Sequence, residues 1–395
     1  AMDIMQARGF GFGQGAGICS SQSMGNRNKE KAGEAAAGSF FAVMIIGVFI
    51  GVVGNIFLNP LVMLLGATPT IAPYAEDYAM YILIASPFMM SSFVMNNILR
   101  AQGNAVYAMV GITVGGVLNM VLDPLFIFTF GMGTAGAAVA TGLSQFISFC
   151  ILLAQCNLQA DCISIRLKNF KPSLKMYGTI LHAGLPSFCR QSIASLGTIT
   201  LNFAAGAYGD AAIAAMSIVS RFMMFINSAM LGFGQGFQPV CGFNFGARRY
   251  DRVLEAFWFC VKVSVVMLAV LAVACFIPAE GIITLFRRND PDVIEIGTRA
   301  LRCQLLVAPA MGWSIMTNMM TQSIGYGFRA SVLAVSRQGL FLIPALLLLP
   351  EFLGLWGGLV AQTVAEVFTV LPRTVIVAQM LRELKALDQR ERAVS

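Results

Sequence analysis

Asn119 and Asp123 stand four residues apart in NMVLDPLFIF (Asn119–Phe128), so a helix through them carries an amide and a carboxylate on one face. Asp123 lies eight residues before Gly131, and Thr141 lies eight residues after Gly133. At 1.5 Å per residue both sit ~12 Å from a tight Gly131–Gly133 turn, at matching depth on two antiparallel helices. A carboxylate, an amide oxygen and a hydroxyl are the hard-oxygen set that a small cation or a shuttled proton needs. Asp123 also directly precedes Pro124, and the other role open to it is to cap backbone that the proline frees.

A second polar group lies near the C-terminus. Gln362 and Glu366 are again four apart, and Glu366 falls about twelve residues from one end of its helix, near the middle of an apolar span. Its acid can bind a cationic substrate, take a proton, or pair with Arg190 or Arg373. Arg190 and Gln191, side by side in GLPSFCRQSIASLGTITLN, join Gln362 and Glu366 as candidate substrate-binding residues. His182, the only histidine, stands at the start of a helix without a partner for a relay. The nine cysteines have no metal-ligand spacing, and no Ser-His-Asp, paired-carboxylate or cofactor constellation occurs, so neither an enzyme nor a cofactor or metal site is expected.

The elements that must position these residues are set by composition. Hydrophobic residues make up 57% and charged residues 11%, with mean hydropathy +0.75; soluble domains carry roughly a quarter charged residues. Such a chain puts its apolar surface into lipid, as an all-α polytopic membrane protein. Apolar stretches predict helices at 37–65, 77–99, 105–130, 134–155, 177–207, 212–241, 253–286, 293–323, 329–350 and 355–381, after a partial one in residues 1–24. The opening AMDIMQARGFGFGQG has no start signal, basic n-region or cleavage site, so the chain is expected to be N-terminally truncated.

Basic residues sort by loop. One alternate set, ending in the 382–395 tail and including Arg329 and Arg337, holds 17 of the 26 Lys and Arg residues; the other (66–76, 131–134, 208–212, 287–292 and 350–354) holds only Arg287 and Arg288. Basic loops stay on the cytoplasmic side, which predicts a cytoplasmic C-terminus. The net charge of +7 then reflects topology and anionic lipid headgroups, with no nucleic-acid partner.

The chain also repeats itself. FGQG occurs at Phe12–Gly15 and at Phe233–Gly236, 221 residues apart. At that offset, within one residue, Gly25 falls on Gly246, Pro87 on Pro309, Thr141 on Gln362, and GTAGAAVA (Gly133–Ala140) on GLWGGLVA (Gly354–Ala361). Two copies running in the same direction require an even number of helices in each, so two parallel-repeat lobes of six helices are expected. The predicted division is an N-lobe at 1–155, a cytoplasmic linker at 156–176, a C-lobe at 177–381 and a tail at 382–395. Subtracting the offset places the first helix and part of the second before residue 1. GFGFGQGAG lacks the spacing of a phosphate loop. Gly9, Gly13 and Gly17 instead form a small-residue stripe for close helix approach, with a substrate-gating hinge as the alternative.

The paired FGQG and basic-loop segments, RAQGN (Arg100–Asn104), NMVLDPLFIF and GTAGAAVAT (Gly133–Thr141) resemble the multidrug and toxic compound extrusion (MATE) family, in its DinF-like prokaryotic branch, over essentially the whole chain. The resemblance implies a MATE/MOP-type antiporter in the cell (inner) membrane, working as a monomer among membrane lipids. It would export small organic cations or amphiphiles in exchange for Na+ or H+, the only inorganic partner. It further implies that Asn119, Asp123 and Thr141 help form the N-lobe cation site; an Asp of the family's first helix, the fourth member, has no counterpart here. GLPSFCRQSIASLGTITLN and VAPAMGWSIMTNMMTQ, in the seventh and tenth family helices, contain no acid, which argues against the C-lobe cation site of NorM-like members. A lipid or glycolipid flippase of the same superfamily and a non-transporting membrane fragment are the alternatives.

Overall fold

The computed structural model describes residues 2–64, 70–158, 163–206, 209–288 and 290–394. Ala1, residues 66–69 of the expected 66–76 loop, 159–162 of the linker, 208 of the 208–212 loop and Asn289 lie outside the described residues. No strand occurs among the described residues. The first half of the chain forms α1 (Met2–Gly25), α2 (Lys29–Ile56), α3 (Leu58–Leu64), α4 (Ala72–Ala101), α5 (Ala105–Pro124) and α6 (Gly133–Leu158). After α7 (Leu174–Gly206) come α8 (Asp210–Gly246), α9 (Tyr250–Phe276), α10 (Ala279–Phe286), α11 (Pro291–Ser323), α12 (Gly327–Val335), α13 (Ile343–Leu353) and α14 (Leu355–Val394). Wide π-helical turns, Leu125–Thr129 and Ser336–Leu342, extend α5 and α12.

Two expected spans are broken. The 37–65 span divides at Phe57 into α2 and the short α3, and 253–286 divides at Ile277 and Pro278, because a proline cannot continue the hydrogen-bond ladder. Conversely, α14 does not stop at 381 but runs through the charged tail to Val394. Eight helices among the described residues are long and apolar enough to cross a membrane. Helices α7 and α11 have 33 residues each, also sufficient in length, but carry more polar side chains.

The chain forms two compact units, Ala1–Phe188 and Cys189–Ser395, each with its own core. In the first, Phe40, Leu83, Met90, Met95, Phe149 and Leu152 are buried together. The second holds two clusters, one around Met230, Leu268, Ile283 and Leu301, the other around Phe257, Met316, Met320 and Val377. Side chains such as Phe49, Val106, Met120, Val121, Phe259 and Val270 are exposed, as a lipid-facing surface requires. The linker docks on the first unit. Ile163 N donates to Gln102 Oε1 (2.9 Å), Phe170 meets Phe41 edge to face, and Lys171 pairs with Glu34 (2.8 Å) and Glu30 (3.2 Å).

Internal geometry repeats with the sequence. Asn96 Nδ2 donates to the Ala108 carbonyl at 2.9 Å, and Asn318 Nδ2 donates to that of Ala330 at 2.8 Å, 222 residues on. Arg27 and Arg248, 221 apart, are the non-glycine residues with positive φ among the described residues, at 58° and 56°. Each ends a helix in the left-handed conformation that a glycine usually supplies. The repeat explains FGQG. A Cβ on Gly13 would fall 2.9 Å from the Phe93 carbonyl oxygen, and one on Gly234 would fall 3.3 Å from Ile315 and 3.0 Å from Met319, the corresponding turn of α11. Gly9 and Gly17 approach Met90 and Asn97 on α4 in the same way, so the stripe is a packing surface.

Candidate functional site

The first polar cluster is built by a close helix pair. Gly111, Gly115, Asn119 and Asp123 lie at intervals of four along one face of α5. A Cβ on Gly115 would come within 2.8 Å of Ser148 Cβ, and Ser148 Oγ donates to the Gly111 carbonyl at 2.8 Å, so the glycines let α5 lie tight on α6. One and two turns further on, the same face carries Asn119 and Asp123 toward Thr141. Asn119 Nδ2 donates to Asp123 Oδ1 (3.1 Å) and to Thr141 Oγ1 (3.3 Å), while the Thr141 hydroxyl donates to the Ala137 carbonyl (2.9 Å). The three expected residues therefore meet, each half-buried. Gly131 and Gly133, with φ of 66° and 58°, make the turn that folds α6 back beside α5. Asp123 hydrogen-bonds its helix neighbour Asn119 instead of capping the proline-disrupted backbone.

The second cluster lies in the second unit. A cavity of about 110 Å³ is lined by Arg190 and Gln191 of α7, Arg337 of the π-helical turn, and Glu366 and Arg373 of α14, with Ser314 and Asn318 of α11. Glu366 is buried, accepts from Ser314 Oγ at 2.7 Å, and pairs with Arg337 Nη1 at 3.5 Å. Arg190 Nη1 donates to Asn318 Oδ1 (3.3 Å), and Arg373 Nη2 donates to the Leu333 carbonyl (3.0 Å). Of the four expected substrate-binding residues, Arg190, Gln191 and Glu366 share this cavity. Gln362 does not line it; one turn before Glu366, it hydrogen-bonds Gln304.

Arg337 corrects the loop assignment. It lies eight residues past Arg329, inside the helical segment, and it is the ion-pair partner of Glu366 in place of Arg190 or Arg373. The span predicted at 329–350 already contained it, and that signal outweighs proximity to a basic loop. Ser314 and Asn318 had no sequence signal beyond their place on a polar helix. Met311 and Met319 also line the cavity. His182 is exposed near the start of α7, and no group of three metal-ligating side chains occurs among the described residues.

A family model described as MatE matches residues 2–125 and 186–347, more than half of the chain. The chain belongs to the MatE family. The multidrug export protein MepA of Staphylococcus haemolyticus (strain JCSC1435) is 26% identical over 369 residues, covering 91% of this MatE chain and 80% of that protein. MepA of Staphylococcus aureus (strain MSSA476) is 26% identical over 392 residues, covering 98% and 85%. An outward-facing multidrug resistance MATE family transporter of the MOP superfamily superposes with TM-score 0.92 at 26% identity, covering 98% of this chain and 86% of that one. A MOP superfamily transporter from Pyrococcus furiosus Vc1, described as having a binding pocket of reverse polarity that suggests a different function, does so with TM-score 0.90 at 26% identity, covering 97% and 86%. This MatE chain is thus an all-helical, multi-pass membrane transporter and not an enzyme.

Proposed function

We propose that this MatE protein is a secondary exporter of organic cations and amphiphiles, driven by Na+ or H+ antiport and working by alternating access. Residues 1–155 are the ion-carrying N-lobe, 156–176 the linker, 177–381 the substrate-carrying C-lobe and 382–395 a cytoplasmic tail. The observation that carries the ion role is the meeting of Asn119, Asp123 and Thr141. The Asn119 amide nitrogen bridges the other two oxygens, where a cation would sit. Turning the amide over exchanges its nitrogen for its oxygen and leaves three oxygens converging with one negative charge. A cation held there favours one state of the transporter; a proton on Asp123 does the same by removing the charge.

Arg190, Gln191 and Glu366 form the substrate cavity, and Gln362 steadies it from one turn away. Export as the direction of transport is supported by the MepA relatives, named as multidrug export proteins. The basic-loop asymmetry supports a cytoplasmic C-terminus, and we assign the protein to the bacterial inner membrane as a monomer. A lipid or glycolipid flippase is the second reading, favoured by the arginines of the cavity. The deciding test is ethidium efflux from vesicles carrying the protein, with the Na+ and H+ gradients collapsed in turn. Wild type is expected to export until one of the two gradients is removed, and Asp123→Asn to insert normally yet lose gradient-driven export. Full transport by Asp123→Asn would overturn the ion role.

A further inference from the structure

The cavity of the second unit carries a surplus of positive charge. Its described lining side chains carry three guanidinium groups, Arg190, Arg337 and Arg373, against the single carboxylate of Glu366. Arginine stays charged at neutral pH, so the lining is net positive by two. Arg373 is 3% exposed, and its Nε and Nη1 have no hydrogen-bond partner, although its Nη2 holds the Leu333 carbonyl. Two donor nitrogens of a buried guanidinium that lines the cavity thus lack a protein acceptor. A planar guanidinium presents paired N–H groups with the geometry of a carboxylate or phosphate. Glu366 already occupies part of that positive lining, through Arg337.

Size and polarity narrow the ligand further. A cavity of about 110 Å³ holds several waters, at ~10–15 Å³ each, but falls below the ~300 Å³ where drug-sized pockets begin. It accommodates a headgroup. Leu231, Met311, Ile315, Met319 and Leu333 supply an apolar part of its wall, suited to the start of a hydrocarbon stem. The charge of Arg337, Glu366 and Arg373 does not descend from the repeat: at the 221 offset they fall on Gly116, Gln145 and Leu152.

We propose that Arg190, Arg337 and Arg373 form an anion subsite for the acidic headgroup, carboxylate or phosphate, of an amphiphile, which displaces the Glu366 carboxylate from Arg337 as it enters. The proposal deepens the exporter reading by naming a substrate class, and rests on that reading only for this cavity being a substrate site. Glu366 then acts as an internal stand-in for the headgroup, keeping the arginines compensated between transport events.

The test is equilibrium binding to the purified full chain in nanodiscs, without any ion gradient, using decyl phosphate and decyltrimethylammonium as probes. Decyl phosphate is expected to bind at least tenfold more tightly than the ammonium compound. Arg373→Gln should weaken it by about tenfold or more, and Glu366→Gln should strengthen it, because the competing carboxylate is gone. A purely structural role for Glu366 would give the opposite sign. Competition by inorganic phosphate would identify a free anion as sufficient; its absence would show that the tail is needed, and both results support the subsite. Equal binding of the two probes, or an unchanged decyl phosphate affinity in correctly folded Arg373→Gln and Arg337→Gln, overturns it. The two proposals fail separately: lost ethidium export with intact decyl phosphate binding removes the exporter reading alone, and the reverse result removes the subsite alone.

Discussion

Removing Glu366 should destabilise the protein more than removing its partner Arg337, although both substitutions break the same ion pair. At 3.5 Å and an effective dielectric of 20, that pair is worth about 5 kcal/mol of attraction. Arg337 is one-third exposed, so solvent screens part of this and leaves about 2–3 kcal/mol. Glu366→Gln loses that attraction and raises the lining from two to three uncompensated positive charges, which puts its cost near the 3–5 kcal/mol typical of a broken buried pair. Arg337→Gln loses the same attraction, but the surviving carboxylate still lies in the field of Arg373, and one source of repulsion disappears. Its cost should stay below about 2 kcal/mol, since the remaining carboxylate keeps the Ser314 hydrogen bond and the attraction of Arg373. The gap of about 2 kcal/mol corresponds to roughly a 30-fold difference in the folded-to-unfolded ratio. Thermal unfolding of both variants in the same detergent, with and without decyl phosphate, measures it. Arg337→Gln proving equally or more destabilising would refute the charge surplus on which the ordering depends.

Thr141→Ala removes one oxygen from the N-lobe cluster while leaving the Asn119–Asp123 hydrogen bond, and should raise the coupling-ion concentration for half-maximal export by about tenfold, with Thr141→Ser restoring it. Gly13→Ala should cost about 1–3 kcal/mol, because the new Cβ meets the Phe93 backbone carbonyl, whereas Gly234→Ala meets side chains that can shift and should cost less; melting temperatures of the two variants compare them directly. Hydrogen bonds to Glu34, then to Glu30, raise the Lys171 pKa above the ordinary 10.5. A raised lysine pKa contributes stability that is complete below the unfolded value and lost as pH rises through the folded one. Proteinase K cleavage of the linker should therefore stay constant up to about pH 10 and increase above it, and Lys171→Ala should show the increase already at neutral pH.

Periodicity and charge sorting made the helices legible, since each long apolar run must satisfy its backbone internally. Legibility failed where one local feature overrode a run: Pro278 divides the expected 253–286 helix, and the charged tail continues α14 because nothing in it breaks a helix. Asn119, Asp123 and Thr141 were readable because two of them are one turn apart and the third is tied to them by a two-glycine turn. The C-terminal cluster was readable only in part. Glu366 stood out as an intramembrane acid, but its partner Arg337 comes from another helix, and sequence separation carries no information on which of several arginines faces a given carboxylate.

The two halves share a scaffold and divide its chemistry. Asn96 and Asn318 tie equivalent helix pairs by the same hydrogen bond, and Arg27 and Arg248 end equivalent helices in the same strained conformation, so the repeat preserves what fixes the backbone. The ionisable groups of the two polar clusters do not repeat. Asp123 falls on Pro344 in the second half, and Glu366 falls on Gln145 in the first. One half thus carries an acid between two close helices, and the other carries guanidinium groups around a cavity of about 110 Å³. A buried charge is costly, so neither half retains one merely because the scaffold is repeated. The proposed coupling of ion to substrate would therefore have to pass through a change of conformation, because the two clusters share no residue.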